Sequence, residues 1–148
     1  MTAKDEEPEL EAADPRPRGG IDRGAIAAEI SREIVRLHAE LYGRGPTKAK
    51  TFVHDAYILC LLEDVFTPAE RTLVNAGHVE QVASTRRAFQ EAVGDIFVGF
   101  VEEAAGRKVR AFVSQVHMDP ELSAELFIME PPVPAGGDGS RPAESDDG

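Results

Sequence analysis

A single cysteine, Cys60, occurs in 148 residues. That excludes an intramolecular disulfide and fits a reducing compartment. Long hydrophobic runs are missing as well. The longest unbroken apolar stretch, Ala56 to Leu62, holds seven residues, against the roughly 20 that a membrane-spanning helix needs. No direct membrane insertion is expected. Residues 1–20 are acidic and lack an apolar h-region, so they do not read as a secretory signal. Cytoplasmic placement is the expectation. Positive charge is also scarce. Sixteen Lys and Arg face 27 Asp and Glu, for a net charge of −11. Nucleic acid and anionic lipid surfaces are poor electrostatic partners for such a chain.

Catalytic signatures are lacking too. There is no nucleophile elbow, dinucleotide fingerprint or Walker loop. His38, His54, His78 and His117 form no i,i+4 pair and have no cysteine at metal-ligand spacing, so no metal is expected. Only His54 and His117, both near strand ends at turns, suggest convergence, and an enzyme reading rests on them alone. Cys60 lies in the most apolar strand and reads as a small core residue. The chain therefore reads as a non-enzyme without a cofactor.

What is there divides into a core and two tails. Residues 1–20 and 131–148 are rich in Pro, Gly and acids and carry −3 each, leaving −5 on residues 21–130. Neither tail holds enough apolar surface to offset ordering entropy, so both are expected to be disordered around a single domain.

Within residues 21–130 the periodicity predicts two long helices and four strands. Ile26, Ile30, Ile34, Leu37 and Leu41 step by three and four, which predicts a helix over residues 23–42. Thr67-Pro68-Ala69-Glu70 reads as a capping box with proline at the first helical position. The helical pattern then breaks at Gly77. It restarts at His78 with Val82, Phe89, Val93, Ile96, Phe97, Phe100, Val101 and Ala104 as the apolar stripe, and Gly106 ends it. Arg86 interleaves with that stripe among the polar positions.

Strands are predicted over residues 49–54, 57–64, 108–118 and 124–130, with a bulge near Gln115. The runs Ile58 to Leu62 and Leu126 to Met129 are apolar at every position and belong in the middle of a sheet. The expected fold is α+β, an αββαββ two-layer sandwich. Its four-stranded antiparallel sheet has the order 1-2-4-3, with the helices on one face. Two helices leave the second face bare, and a homodimer is expected to bury it. The two halves run alike, from Gly43-Arg44 and Gly106-Arg107 into strand pairs. Duplication and convergence on one unit both give that pattern.

Two basic clusters stand out in an acidic chain. Residues 43–50 (Gly-Arg-Gly-Pro-Thr-Lys-Ala-Lys) form a glycine-bearing loop with Arg44 and Lys48. Arg86 and Arg87 sit together on the long helix. A small anion could lie between them, held by backbone amides and guanidinium groups. The plainer reading is a helix C-cap and ordinary salt bridges.

The order of these features resembles the bacterial MpsC-like family. The matching residues are Leu41 to Pro46, Leu61 to Glu70, Arg86 to Ala92, Gly106 to Val109 and Phe127 to Glu130. The positions that fit its pattern are Gly43, Gly45, Pro46, Arg87, Phe89 and Gly106. Together with the Thr67 cap, they read as turns, caps and a packed face. The resemblance implies an accessory protein to a cation-translocating, membrane-potential-generating system. The membrane partners in such systems are related to complex I subunits and to inorganic-carbon uptake machinery. It brings no catalytic residues. The leading expectation is thus a non-enzymatic accessory module peripheral to the membrane through transporter subunits. The alternative is a small-anion sensor using residues 43–50 with Arg86 and Arg87.

Overall fold

The computed structural model describes residues 22–132, so most of both expected disordered tails lies outside the described residues. The chain runs α1 (Arg23–Tyr42), β1 (Lys48–Val53), β2 (Tyr57–Glu63), α2 (Pro68–Asn75), α3 (Val79–Ala105), β3 (Val109–His117) and β4 (Leu122–Met129). The sheet is antiparallel throughout, in the order β1-β2-β4-β3. The expected α+β fold and strand order are thus observed.

Local chemistry sets the helix ends. Asp22 caps α1 through its side chain, which accepts from the Ala25 amide at 3.1 Å. Gly43 closes α1 at φ 80°, a left-handed conformation that costs glycine little. Gly45 follows, and a Cβ there would stand 3.0 Å from the Val35 carbonyl oxygen, so only glycine lets the chain pass so close to α1. Pro46 is buried. Thr67 accepts from the Glu70 amide while the Glu70 carboxylate accepts from the Thr67 amide, so the predicted capping box is complete. Gly106 ends α3 in the left-handed region.

The helices pack on one face of the sheet. Ile26, Ile30, Ile34 and Leu37 of α1 meet Ile58, Cys60 and Leu62 of β2, Phe127 and Met129 of β4, and Val82, Val93, Phe97 and Val101 of α3. In β4 the residues alternate strictly, with Ser123, Glu125, Phe127 and Met129 turned to the helices and buried.

Three expectations need correction. The bulge lies between Val109 and Ala111, not at Gln115. One extra residue there reverses the side-chain parity. Val109, Phe112, Ser114 and Val116 are half-buried under the helices, while Ala111 and Val113 face away. The buried stripe of α3 is Val82, Arg86, Val93, Phe97, Val101 and Ala105. Phe89 and Ile96 are 39% and 48% exposed. A step of four from Val82 selects Arg86, and Phe89 instead packs its ring against Tyr42 at the margin, with centroids 5.0 Å apart. Finally, His54 and His117 do not converge. His54 follows the end of β1 that pairs Val53 with Ile58, and Ile58 pairs with Phe127. His117 pairs with Leu122, and Leu122 with Glu63 at the opposite end of the sheet.

Candidate functional site

In the segment that joins β2 to α2, buried charge collects at residues 64–66. Val65 and Phe66 are each 2% exposed. A loop buried this deeply carries carbonyl groups that water cannot reach, and they require donors. Two arginines supply them. Arg44 Nη1 donates to the carbonyls of Asp64 at 2.7 Å and Phe66 at 2.9 Å. Arg86 Nη2 donates to the Val65 carbonyl at 2.7 Å. Asp64 takes a left-handed backbone, φ 58°, and its carboxylate accepts from Arg44 and Arg71. The Phe66 amide donates to Glu121 at 2.6 Å.

Arg86 is the centre of this arrangement, at 2% exposure. Its Nε and Nη2 fork onto the Glu70 carboxylate, both at 2.6 Å. The guanidinium carbon stands 4.6 Å from the Tyr42 ring centroid and 5.3 Å from that of Phe66. Planarity lets the group do both at once, which an ammonium cannot. Burial pushes the Glu70 carboxyl up, but the hydrogen bonds from Arg86 and Thr67 outweigh it and hold the group below its ordinary range. The same Glu70 therefore caps α2 and neutralises Arg86.

Beyond Arg86 lies a second buried acid, Glu125, 4% exposed. Burial pushes its carboxyl up to about 7, against partial relief from Ser114, Ser123 and the Arg86 charge. Ser123 Oγ donates to Oε1 at 3.2 Å, while Oε2 has no hydrogen-bond partner. Ser114, its cross-strand neighbour, is near enough to ease the charge, yet its buried Oγ makes no hydrogen bond of normal geometry. His38 Nε2 stands 3.8 Å from Glu125 Oε1. His38 Nδ1 donates to the Ile34 carbonyl at 2.9 Å. Burial first, and the Arg86 charge as well, hold that imidazole below its usual pKa, so it stays neutral. Burial thus biases both His38 and Glu125 toward their neutral forms beside one closed ion pair. Cys60 is fully buried, accepts from the Thr51 hydroxyl at 3.3 Å, and has its thiol pushed up to about 12 by burial.

The four basic residues singled out from the sequence do not form one group. Arg44 and Arg86 meet on residues 64–66. Lys48 lies at the start of β1, on the far side of the sheet, 3.4 Å from Glu63. Arg87 is exposed and lines a cavity of about 170 Å³ between α3 and β3, with Arg86, Gln90 and Ser114. Sequence reasoning missed Glu125 and His38. A signal for Glu125 was present: in β4 it has the parity of Phe127 and Met129, so a strand that buries those two buries the acid also.

The other face of the sheet has no cover among the described residues. Its central row is Phe52, Leu59, Leu126 and Val113, each paired with the next across the strands. Tyr57, Ile128 and Ala111 form the next row, and Leu61 with Ala124 lies on the other side. Phe52, Tyr57 and Val113 are 42%, 38% and 52% exposed. Charged and polar groups stand only at the border, as Lys48, Lys50, Glu63, Gln115 and His117. Among the described residues no helix is long and apolar enough to cross a membrane, and no cluster of His, Cys, Asp or Glu has the makings of a metal site.

A family model described as "Na+-translocating membrane potential-generating system (MpsC)" matches residues 22–131. No curated protein and no solved structure matches the chain.

Proposed function

The chain belongs to the MpsC family, and from that membership we propose that it is a non-enzymatic accessory module of a membrane system that translocates cations and generates membrane potential. It works in the cytoplasm as a homodimer and meets the membrane through transporter subunits. The observation that carries this reading is the bare apolar face of the sheet. A rim of polar groups around an apolar centre is the make-up of a protein interface.

A second copy of the chain fits this face better than its other candidate occupants. The segments outside the described residues contain only Leu10, Ile21, Met1 and Val133 as large aliphatic residues, too few to cover the nine apolar positions of that face. A lipid surface would meet a chain of net charge −11. With strands about 4.8 Å apart and a rise of about 3.4 Å per residue, four strands of some seven residues span roughly 450 Å². Two such faces remove roughly 900 Å² counted as flat area, and more with side-chain relief, close to the lower bound for a specific interface. The rim carries both signs, Lys48 and Lys50 with Glu63, so the same patch offers both partners of a symmetric contact.

Deleting the gene is expected to lower the membrane potential of the source cell, read with a potential-sensitive dye. The wild-type chain supplied in trans restores it, and the interface variant Val113→Asp does not. An unchanged potential in the deletion strain would contradict the accessory role.

A further inference from the structure

The cavity between α3 and β3 is lined by donors with hydrogen-bonding capacity to spare. Ser114 Oγ is buried and without a hydrogen-bond partner. Arg86 commits Nε and Nη2 to Glu70 and Val65, and its Nη1 has no internal partner among the described residues. The side chains of Arg87 and Gln90, which line the same space, make no hydrogen bond or ion pair among the described residues. Buried polar atoms in folded proteins are nearly always paired, so a buried hydroxyl without a partner beside three further donors marks a place for an acceptor.

We propose that this cavity binds a small monovalent oxyanion of the carboxylate type, held by Ser114, Arg87, Gln90 and the free amino group of Arg86. The valence follows from the local charge. Glu70 already neutralises Arg86, which leaves Arg87 as the one unbalanced cation of the lining. The size follows from the surroundings. The cavity measures about 170 Å³. The groove that continues from it past Gly94 and Phe112 is flanked by Glu91 and Asp95, which repel a larger or more highly charged anion. Arginine and hydroxyl donors on a carboxylate make charge-assisted hydrogen bonds, stronger than neutral ones. Glu125, Ser114's partner across the strands, adds a pH dependence. Burial keeps its carboxyl neutral up to about pH 7, and once ionised it opposes an anion next door. The other titratable or charged groups around it are His38 and Tyr42 on α1, Cys60 on β2, Glu70 on α2 and Arg86 on α3. Binding is therefore tighter at pH 6 than at pH 8. The site lies on the helix side of the edge strand β3 and does not depend on the oligomeric state.

The test is a titration of the isotope-labelled full chain with sodium acetate, sodium formate, sodium bicarbonate and sodium sulfate, against sodium chloride at equal ionic strength. The expected result is saturable amide shifts centred on residues 86–90 and 114–116, produced by one or more of the monovalent oxyanions and not by chloride. Ser114→Ala and Arg87→Ala each weaken that binding about tenfold, the loss of one charge-assisted hydrogen bond. Neither variant should unfold the chain, because Ser114 makes no hydrogen bond of normal geometry and Arg87 is exposed. Shifts that never saturate, an equal response to chloride, or unchanged binding in both variants would overturn the site.

Discussion

Replacing Arg86 by alanine is expected to destabilise the fold by about 3–5 kcal/mol, the cost of breaking a buried ion pair from one side. Three losses coincide. Glu70 keeps its charge with its main partner gone, the buried Val65 carbonyl loses its donor, and the Tyr42 and Phe66 rings lose the cation between them. For a domain of this size the melting temperature should fall by more than about 10 °C. Arg86→Lys should recover only part, because an ammonium offers one point charge where the site uses a fork and a flat face. The sharpest contrast is the next residue. Arg87→Ala removes an exposed guanidinium without an internal partner and should change stability by no more than about 0.5 kcal/mol. Urea unfolding followed by circular dichroism measures all three. Equal stability of the Arg86→Ala and Arg87→Ala chains would show that the arginine does not hold residues 64–66.

Glu125→Gln is expected to stabilise the chain at alkaline pH and to leave it nearly unchanged in acid. Burial raises the folded carboxyl from the ordinary 4.5 to about 7. Between those values the unfolded chain has released the proton and the folded chain retains it. The stability that goes with the neutral acid is therefore complete below about pH 4.5 and is lost as pH rises through 7. A shift of that size corresponds to about 3 kcal/mol. Glutamine keeps the shape and carries no charge, so its curve should lie above the wild type at pH 8 and meet it near pH 4.5. His38 works in the opposite direction. Its folded pKa is lowered, so protonation in acid costs stability in both chains and cancels in the comparison. Melting curves from pH 4.5 to 8 check this. Parallel curves would mean that Glu125 is already ionised and solvated in the folded protein.

The parts of the fold that were legible in the sequence are those set by neighbours in the chain. The Thr67 to Glu70 cap, the Gly43 and Gly106 stops and the α1 stripe depend on residues a few positions apart, and each forms as expected. The strand order followed from two strands apolar on both faces, which place β2 and β4 at the centre. Arg86 was not legible as a buried residue, because its partners Glu70 and Val65 lie 16 and 21 positions away on other elements. A guanidinium reads as polar until its carboxylate is known. The bulge at Val109/Ala111 was missed for a related reason. It exchanges the faces of a whole strand without any glycine or proline to mark it. As a result nothing in the sequence marked Ser114 as inward-facing.

Whether a second copy covers the bare face of the sheet, as we propose, is read from the mass in solution by light scattering coupled to size-exclusion chromatography. At tens of micromolar the full chain should show twice the 16.0 kDa chain mass. Val113→Asp, at the most exposed large apolar residue of that face, should give a folded chain of single mass. A wild-type chain of single mass, or a Val113→Asp chain that remains dimeric, would mean that no second copy sits on this face.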